Sequence, residues 1–160
     1  MRLINIVGHS NSGKTTLIVR LVPMLAELGR VATLKQLGCH SFILPEGKDT
    51  TRHFEAGAEC AAGIDSEKCV VSLQGSNLFS ILDYYHWLGI DYVVIEGFKE
   101  YHFPCAVIGD FKTQYEVLNN PSAKDICFNL DKLRELDAKV KRPANVFAYI
   151  FGSISTIVMG

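Results

Sequence analysis

A glycine-rich segment near the start of the printed sequence carries the clearest chemical pattern in its 160 residues. Gly8 and Gly13 are separated by four residues, and Lys14 and Thr15 follow directly. Glycines at this spacing let several backbone N–H groups converge on a phosphate, whose charge the lysine neutralises. The threonine hydroxyl is suited to bind Mg²⁺. The residues predicted to hold the phosphates are Gly8, His9, Ser10, Asn11, Ser12, Gly13, Lys14, Thr15 and Thr16.

A carboxylate follows an apolar run later in the chain. Residues 92–95 form a fully apolar predicted strand that ends at Glu96. Parallel strands end together at the carboxyl edge of a sheet, where ligands bind. We therefore expect Glu96 beside the phosphate loop, where it completes the Mg²⁺ site with Thr15 or orients an attacking water. The alternative is a surface glutamate that begins a loop.

Further charged residues are candidates for the same site. Lys35 leaves its predicted strand at the same carboxyl edge and can point into the site. Residues 36–48 lack periodicity, which is typical of a lid or binding loop. Lys48, Asp49 and Arg52 come at its end. Either Lys48 and Arg52 face bound anions, or Asp49 or Thr50 caps a short helix whose first turn is solvated; the spacing leaves both interpretations open.

These residues must be positioned by strands and helices that the apolar pattern predicts. Strands are predicted at 3–7, 31–34, 69–73, 92–95 and 105–108, and helices at 17–28, 51–56, 78–88 and 131–140. Pro23 is expected to kink or interrupt the first helix. Alternating strands and helices predict an α/β fold, a three-layer P-loop NTPase-like domain with a mostly parallel sheet flanked by helices. We expect residues 1–160 to form this single domain, with residues 146–159 as a helix, a strand or a packing segment for a second subunit.

Composition favours a cytoplasmic protein. The formal net charge is −1 and the cations are scattered, so neither nucleic acid nor a membrane surface is an expected partner. No apolar run reaches the length of about 20 residues that a membrane span needs. The five cysteines include no Cys-x-x-Cys pair, which disfavours a zinc ribbon or a disulfide framework. We expect them to be small buried side chains, and adjacent Cys39 and His40 do not make a metal site.

The residues alone leave the nucleotide base open. The sequence contains no Asn-Lys-x-Asp segment, the commonest sequence mark of guanine binding. GTP and ATP are therefore equally compatible with the phosphate loop.

Four segments in this order resemble the MobB family, the molybdopterin-guanine dinucleotide biosynthesis adapter proteins. They are residues 8–16, Lys35, residues 47–58 and residues 96–99, within roughly residues 2–110. The resemblance implies a homodimer that binds GTP and Mg²⁺ and has weak GTPase activity. It also implies action beside the guanylyltransferase MobA in attaching GMP to molybdopterin.

The same resemblance implies roles for individual residues. Gly13, Lys14 and Thr15 would bind GTP and Mg²⁺, and Glu96 would serve the metal or the water. Residues 48–53 would face the nucleotide or the pterin. Glu96 and Lys14 are the catalytic candidates. Two other functions stay open: a non-hydrolysing module whose nucleotide switches its affinity for a partner, and a small-molecule kinase that uses ATP.

Overall fold

The computed structural model describes residues 1–38, 43–75 and 77–136. These form two compact units: residues 1–38 with 82–136, and residues 43–75 with 77–81. The strands are β1 (Arg2–Gly8), β2 (Val31–Lys35), β3 (Cys60–Ile64), β4 (Cys69–Leu73), β5 (Tyr92–Glu96), β6 (Cys105–Ile108), β7 (Glu116–Asn119) and β8 (Arg134–Glu135). The helices are α1 (Lys14–Ala26), α2 (Asp49–Glu55), α3 (Leu78–Trp87) and α4 (Ala123–Phe128), with a 3-10 helix at Leu130–Lys132.

The first unit is built on a mostly parallel sheet in the order β2-β5-β1-β6-β7. Each neighbouring pair along this path is parallel. Strand β8 pairs antiparallel with Arg2 and Leu3, while β6 pairs with residues 5–8 of β1. The expected α/β architecture is therefore confirmed, and the phosphate loop follows the central strand.

The core of the first unit lies between this sheet and two helices. Leu21 and Leu25 of α1 and Ile126 of α4 pack against Ile4 and Ile6 of β1. Side chains alternate between the faces of a strand, so Asn5 and Val7 belong to the opposite face. Complete burial of an aliphatic side chain contributes about 1.5–3 kcal/mol. The buried Ile4 and Ile6 therefore fix the position of β1 and of the loop that follows it.

Helix α4 has only six residues and depends on its cap. The Ser122 side chain accepts a hydrogen bond from the Asp125 backbone N–H, and the Asp125 carboxylate accepts one from the Ser122 N–H. This reciprocal pair satisfies two backbone donors at the start of the helix.

The second unit contains helix α2, the antiparallel hairpin β3–β4 and the first residues of α3. Of the ten residues in β3 and β4, only Ala61 is buried. Thr51 of α2 is buried, and its hydroxyl donates to the Pro45 carbonyl at 2.8 Å. None of the helices within the described ranges has both the length and the hydropathy needed to cross a bilayer.

Several sequence predictions in the helices need correction. Pro23 does not interrupt α1, which continues past it to Ala26, while the expected kink stays a prediction. The side chain of Pro23 is exposed, so the unpaired carbonyl one turn earlier can be hydrated. Leu28 is 58% exposed and lies outside the buried face on which its spacing placed it. The helix predicted at 131–140 is wrong over its described part, where a 3-10 turn and β8 are found.

Some elements were missed by the sequence analysis, and some predictions fall outside the described residues. Strands β3, β7 and β8 and helix α4 were not predicted. Residues 137–140, the apolar segment 146–159 and the Cys39–His40 pair lie outside the described residues. The expectation of a single domain over residues 1–160 stays a prediction.

The cysteines divide between the two units. Cys105 is buried as expected and Cys127 is partly buried, whereas Cys60 and Cys69 are exposed on the hairpin. The prediction of buried thiols is therefore wrong for Cys60 and Cys69, the two cysteines described in the second unit. All four of these described thiols are free.

Candidate functional site

The turn between β1 and α1 forms the phosphate loop. A Cβ atom on Gly8 would lie 2.3 Å from the Ile108 carbonyl oxygen, so only glycine allows β1 and β6 to approach here. Asn11 and Gly13 have positive φ angles of 60° and 93°, and Gly13 precedes the first residue of α1. Left-handed residues in such a turn favour a concave set of N–H groups that binds anions.

Ser12 provides a second indication that the loop is shaped for a ligand. Its hydroxyl oxygen is buried and has no hydrogen-bond partner within the described part of the chain. Buried polar atoms are nearly always paired, and an unpaired one needs an explanation. A phosphate oxygen in the loop would accept from this hydroxyl, so the loop fits a phosphorylated ligand.

Lys14 is the first residue of α1, and its side chain is buried against the loop. Its ammonium nitrogen donates to the His9 carbonyl at 2.5 Å. Burial lowers the pKa of Lys14; the charge of Glu96 opposes this shift, while those of Lys99 and Lys35 add to it. Three ammonium groups therefore act on one small region, and a polyphosphate there would relieve their repulsion.

Thr15, Glu96 and Lys35 meet beside the loop. The Thr15 hydroxyl lies 3.3 and 3.5 Å from the two carboxylate oxygens of Glu96, and the Lys35 ammonium lies 3.3 Å from one of them. The strand register explains this arrangement, because Glu96 pairs with Ile6 of β1 and with Lys35 of β2. The parallel sheet thus brings together the three side chains that the sequence placed at its carboxyl edge.

The Thr15–Glu96 pair fits a magnesium ion. Both side chains offer oxygen, and Mg²⁺ is usually held by one or two protein oxygens together with phosphates and water. Among residues 1–38, 43–75 and 77–136, no cluster of three His, Cys, Asp or Glu side chains is suited to hold a metal. With Thr15 and Glu96 as its protein ligands, such an ion would take its remaining ligands from phosphate and water.

Lys99 belongs to this site but was not among the predicted site residues. Gly97 and Phe98 have positive φ angles of 97° and 52°, and they turn the chain after β5. The Gln36 side chain supports this turn by accepting from the Phe98 N–H at 2.7 Å and donating to Glu100 at 2.6 Å. The only sequence signal was the position of Lys99 at the end of the segment that begins with Glu96.

The remaining predicted residues differ in their surroundings. His9, Ser10, Asn11 and Thr16 are exposed around the loop. His9 Nε2 lies 3.7 Å from a carboxylate oxygen of Asp110. Both His9 and Asp110 belong to the first unit.

Lys48, Asp49 and Arg52 belong to the second unit. Lys48 precedes α2, and the helix has no side-chain cap, so the alternative that Asp49 or Thr50 caps it is wrong. Asp49 instead forms an exposed ion pair with Arg52 at 3.8 Å. The proposed contact of these three residues with a nucleotide stays a prediction.

Comparisons with known proteins agree on one family. The model described as "Molybdopterin guanine dinucleotide synthesis protein B" matches residues 3–127. A probable molybdopterin-guanine dinucleotide biosynthesis adapter protein of Bacillus subtilis is 34% identical over 120 residues, which are 72% of this chain and 69% of that protein. The corresponding protein of Haemophilus influenzae is 34% identical over 107 residues, 64% of this chain and 60% of that protein.

Solved structures give the same result for the fold. The crystal structure of Bacillus subtilis MobB superposes with a TM-score of 0.65 at 25% identity, and the match covers 84% of this chain and 99% of that one. A MobB homologue from Bacillus stearothermophilus gives a TM-score of 0.51 at 25% identity, with 85% and 74% of the two chains covered. The mostly parallel sheet with flanking helices is therefore shared with these proteins.

Proposed function

Since the chain belongs to the MobB family, we propose that it is a GTP-binding adapter protein in the biosynthesis of molybdopterin guanine dinucleotide. We further propose that it hydrolyses GTP slowly and depends on Mg²⁺ for this activity. The observation that carries the proposal is the cluster of Thr15, Glu96 and Lys35 beside the buried Lys14. A phosphate loop alone is compatible with many functions, but this cluster adds a hydroxyl and a carboxylate that are suited to Mg²⁺.

Each side chain has a distinct role in this proposal. Lys14, Lys35 and Lys99 bind the negative charge of the triphosphate. Thr15 and Glu96 hold Mg²⁺, which stabilises charge on the phosphate oxygens when bound. Thr15 and Lys35 hold the Glu96 carboxylate beside the phosphate loop. From this position Glu96 also orients the attacking water.

Proposed partners follow from the family. They are a MobA-type guanylyltransferase, molybdopterin and a second copy of the chain, all in the cytoplasm. Lys48, Asp49 and Arg52 are proposed to face the nucleotide or the pterin.

The decisive experiment is single-turnover hydrolysis of GTP in Mg²⁺ by the unaltered protein and by Glu96→Gln. The amide keeps the size of the side chain but removes the charge, so we expect hydrolysis to fall at least about tenfold while the fold is retained. Glu27→Gln is the matched control, since Glu27 is exposed on the surface of the same unit. Melting temperatures of both variants should match that of the unaltered protein.

The outcomes distinguish the three functions. Equal rates for the unaltered protein and Glu96→Gln would contradict the role of Glu96. Hydrolysis no faster than in buffer, with GTP bound, would favour the nucleotide-switched module. Preference for ATP over GTP in the same assay would favour the kinase.

A further inference from the structure

The two sides of β1 are not equivalent at the carboxyl edge of the sheet. Thr15 approaches Glu96 of β5, and Lys35 of β2 lies farther along the same side. These groups are the ones suited to Mg²⁺ and to the outer phosphates. The nucleoside end of a bound nucleotide should therefore extend to the other side of β1, over β6 and β7.

The loop after β6 adjoins the phosphate loop directly. A Cβ on Gly109 would lie 3.4 Å from the Ser12 Cβ, in addition to the close approach of Gly8 to Ile108. Any group displayed by residues 109–111 is thus next to the nucleotide-binding turn.

This loop is held in place by the end of β7. The Asn120 side chain accepts from the Gly109 N–H at 2.7 Å and donates to the Gly109 carbonyl at 3.2 Å. The Asn120 backbone N–H also donates to the Val107 carbonyl at 2.8 Å. Reciprocal bonds of this kind fix the backbone before a ligand arrives, which reduces the entropy lost on binding.

Asp110 is the polar side chain that this fixed loop presents. Its carboxylate is 95% exposed and lies 3.7 Å from His9 Nε2. An ionised carboxylate can accept about four hydrogen bonds, so acceptor capacity is left for a ligand. The neighbouring Phe111 ring packs edge-on against His9, with ring centres 5.5 Å apart, and the Lys99 ammonium lies 4.7 Å from its centre.

We propose that Asp110 selects guanine by accepting hydrogen bonds from the base N1–H and the exocyclic 2-amino group. Two adjacent donors match the two oxygens of one carboxylate. Adenine presents a lone pair at N1 and has no 2-amino group, so it would leave the carboxylate unpaired. This proposal rests on the proposed function, namely that the phosphate loop binds GTP, and it supplies the base discrimination that the sequence left open.

The test is an Asp110→Asn variant titrated calorimetrically with GTP, ATP and xanthosine triphosphate in Mg²⁺. An amide pairs with the N1–H and 2-oxo groups of xanthine but meets a second donor in guanine. We expect GTP affinity to fall about tenfold or more and affinity for xanthosine triphosphate to rise by a similar factor. Asp131→Asn is the control, because Asp131 is an exposed carboxylate in the 3-10 helix next to β8.

The possible results separate this proposal from the proposed function. If the unaltered protein binds GTP tightly and Asp110→Asn keeps the same preference, Asp110 does not read the base, while the proposed function stands. If Asp110→Asn loses all three nucleotides at an unchanged melting temperature, Asp110 supports the phosphate loop through His9, and the base-selection proposal is overturned. If the unaltered protein binds none of them, both proposals fail.

Discussion

Strands β1 and β4 have similar apolar side chains but very different surroundings. In β1 every residue from Leu3 to Gly8 is buried, whereas in β4 none is fully buried and Val70 and Val71 are 59% and 48% exposed. Strand β1 has parallel neighbours on both edges and helices on one face; among the described residues, β4 pairs with β3 alone. The comparison shows that neighbouring strands and helices decide burial here, and that an apolar run by itself does not.

The same contrast applies to the charged residues. Lys14 and Glu96 are held at the ends of buried elements, with defined partners on other strands or on the loop. Asp49 and Arg52 pair with each other on the surface of a seven-residue helix. Groups fixed by a rigid scaffold are suited to catalysis and tight binding, whereas exposed pairs contribute little stability.

The largest expected effect is a loss of stability when a buried valine of the first unit is shortened, compared with an exposed valine of the second unit. Val94→Ala removes two methyl groups from a side chain that is 1% exposed, and we expect a loss of about 2–3 kcal/mol in the free energy of unfolding. Val70→Ala is the matched change on the hairpin and should cost less than about 0.5 kcal/mol. Urea denaturation at constant m-value measures both.

A loss for Val70→Ala as large as that for Val94→Ala would contradict the exposure of Val70. It would mean that the hairpin face is covered in solution. Repeating the measurement at several protein concentrations would then show whether a second copy provides the cover, because the midpoint of a dimer depends on concentration.

A slightly smaller effect is expected for the lysines of the two units. Lys14→Ala removes a charge-assisted contact worth about 1.5–3 kcal/mol, which corresponds to a loss of roughly 10- to 150-fold in GTP affinity. Lys48→Ala removes an exposed cation, and we expect a loss of about fivefold at most. Titration with GTP and GMP measures both variants; GMP lacks the outer phosphates and should be affected far less.

Two results would change this interpretation. Equal losses of GTP and GMP for Lys14→Ala would contradict its proposed contact with the outer phosphates. A loss for Lys48→Ala that matches that for Lys14→Ala would mean that the second unit contributes directly to the triphosphate site.

The sequence predicted the scaffold of the first unit because its signals are local. The strand ending at Gly8 and the one ending at Glu96 are apolar runs that stop at a functional residue, and parallel pairing then brings Thr15 and Glu96 together. The β3–β4 hairpin was only half predicted, since Cys60–Ile64 consists mostly of small residues without alternation. Helix α4 depends on a capping box, which the apolar pattern does not reveal.

Long-range contacts could not be predicted from the sequence, for a different reason. Lys99 acts on Lys14 from beyond the Gly97–Phe98 turn, which is supported by Gln36, a residue about 60 positions earlier in the chain. Asp110 adjoins the phosphate loop because β6 pairs with β1 and Asn120 fixes the intervening loop. Neither the position of Lys99 nor that of Asp110 can be recognised from the spacing of residues in the sequence.

The smallest perturbation compares how fast the cysteines of the two units react with a thiol reagent, since labelling requires no change in the core. Cys60 and Cys69 are exposed on the hairpin and should react quickly with a thiol reagent at pH 8. Cys105 is 2% exposed, and burial, followed by the charge of Glu116, raises the pKa of its thiol to about 11. Only about one Cys105 thiol in a thousand would then be ionised at pH 8, and the thiolate is the reactive form.

The labelling experiment compares Cys39→Ser protein with the same protein carrying Cys60→Ser and Cys69→Ser. We expect the fast phase to shrink by two thiols when the hairpin cysteines are removed, while Cys105 reacts only after unfolding. Fast labelling of Cys105 in the triple variant, distinguished by peptide mass from labelling of the partly buried Cys127, would show that the first unit opens readily. Slow reaction of Cys60 and Cys69 in the Cys39→Ser protein would instead show that the hairpin face that they share with Val71 is covered in solution. Val70 lies on the opposite face of the hairpin, so Val70→Ala and cysteine labelling report on different faces, and both measurements change only if both faces are covered.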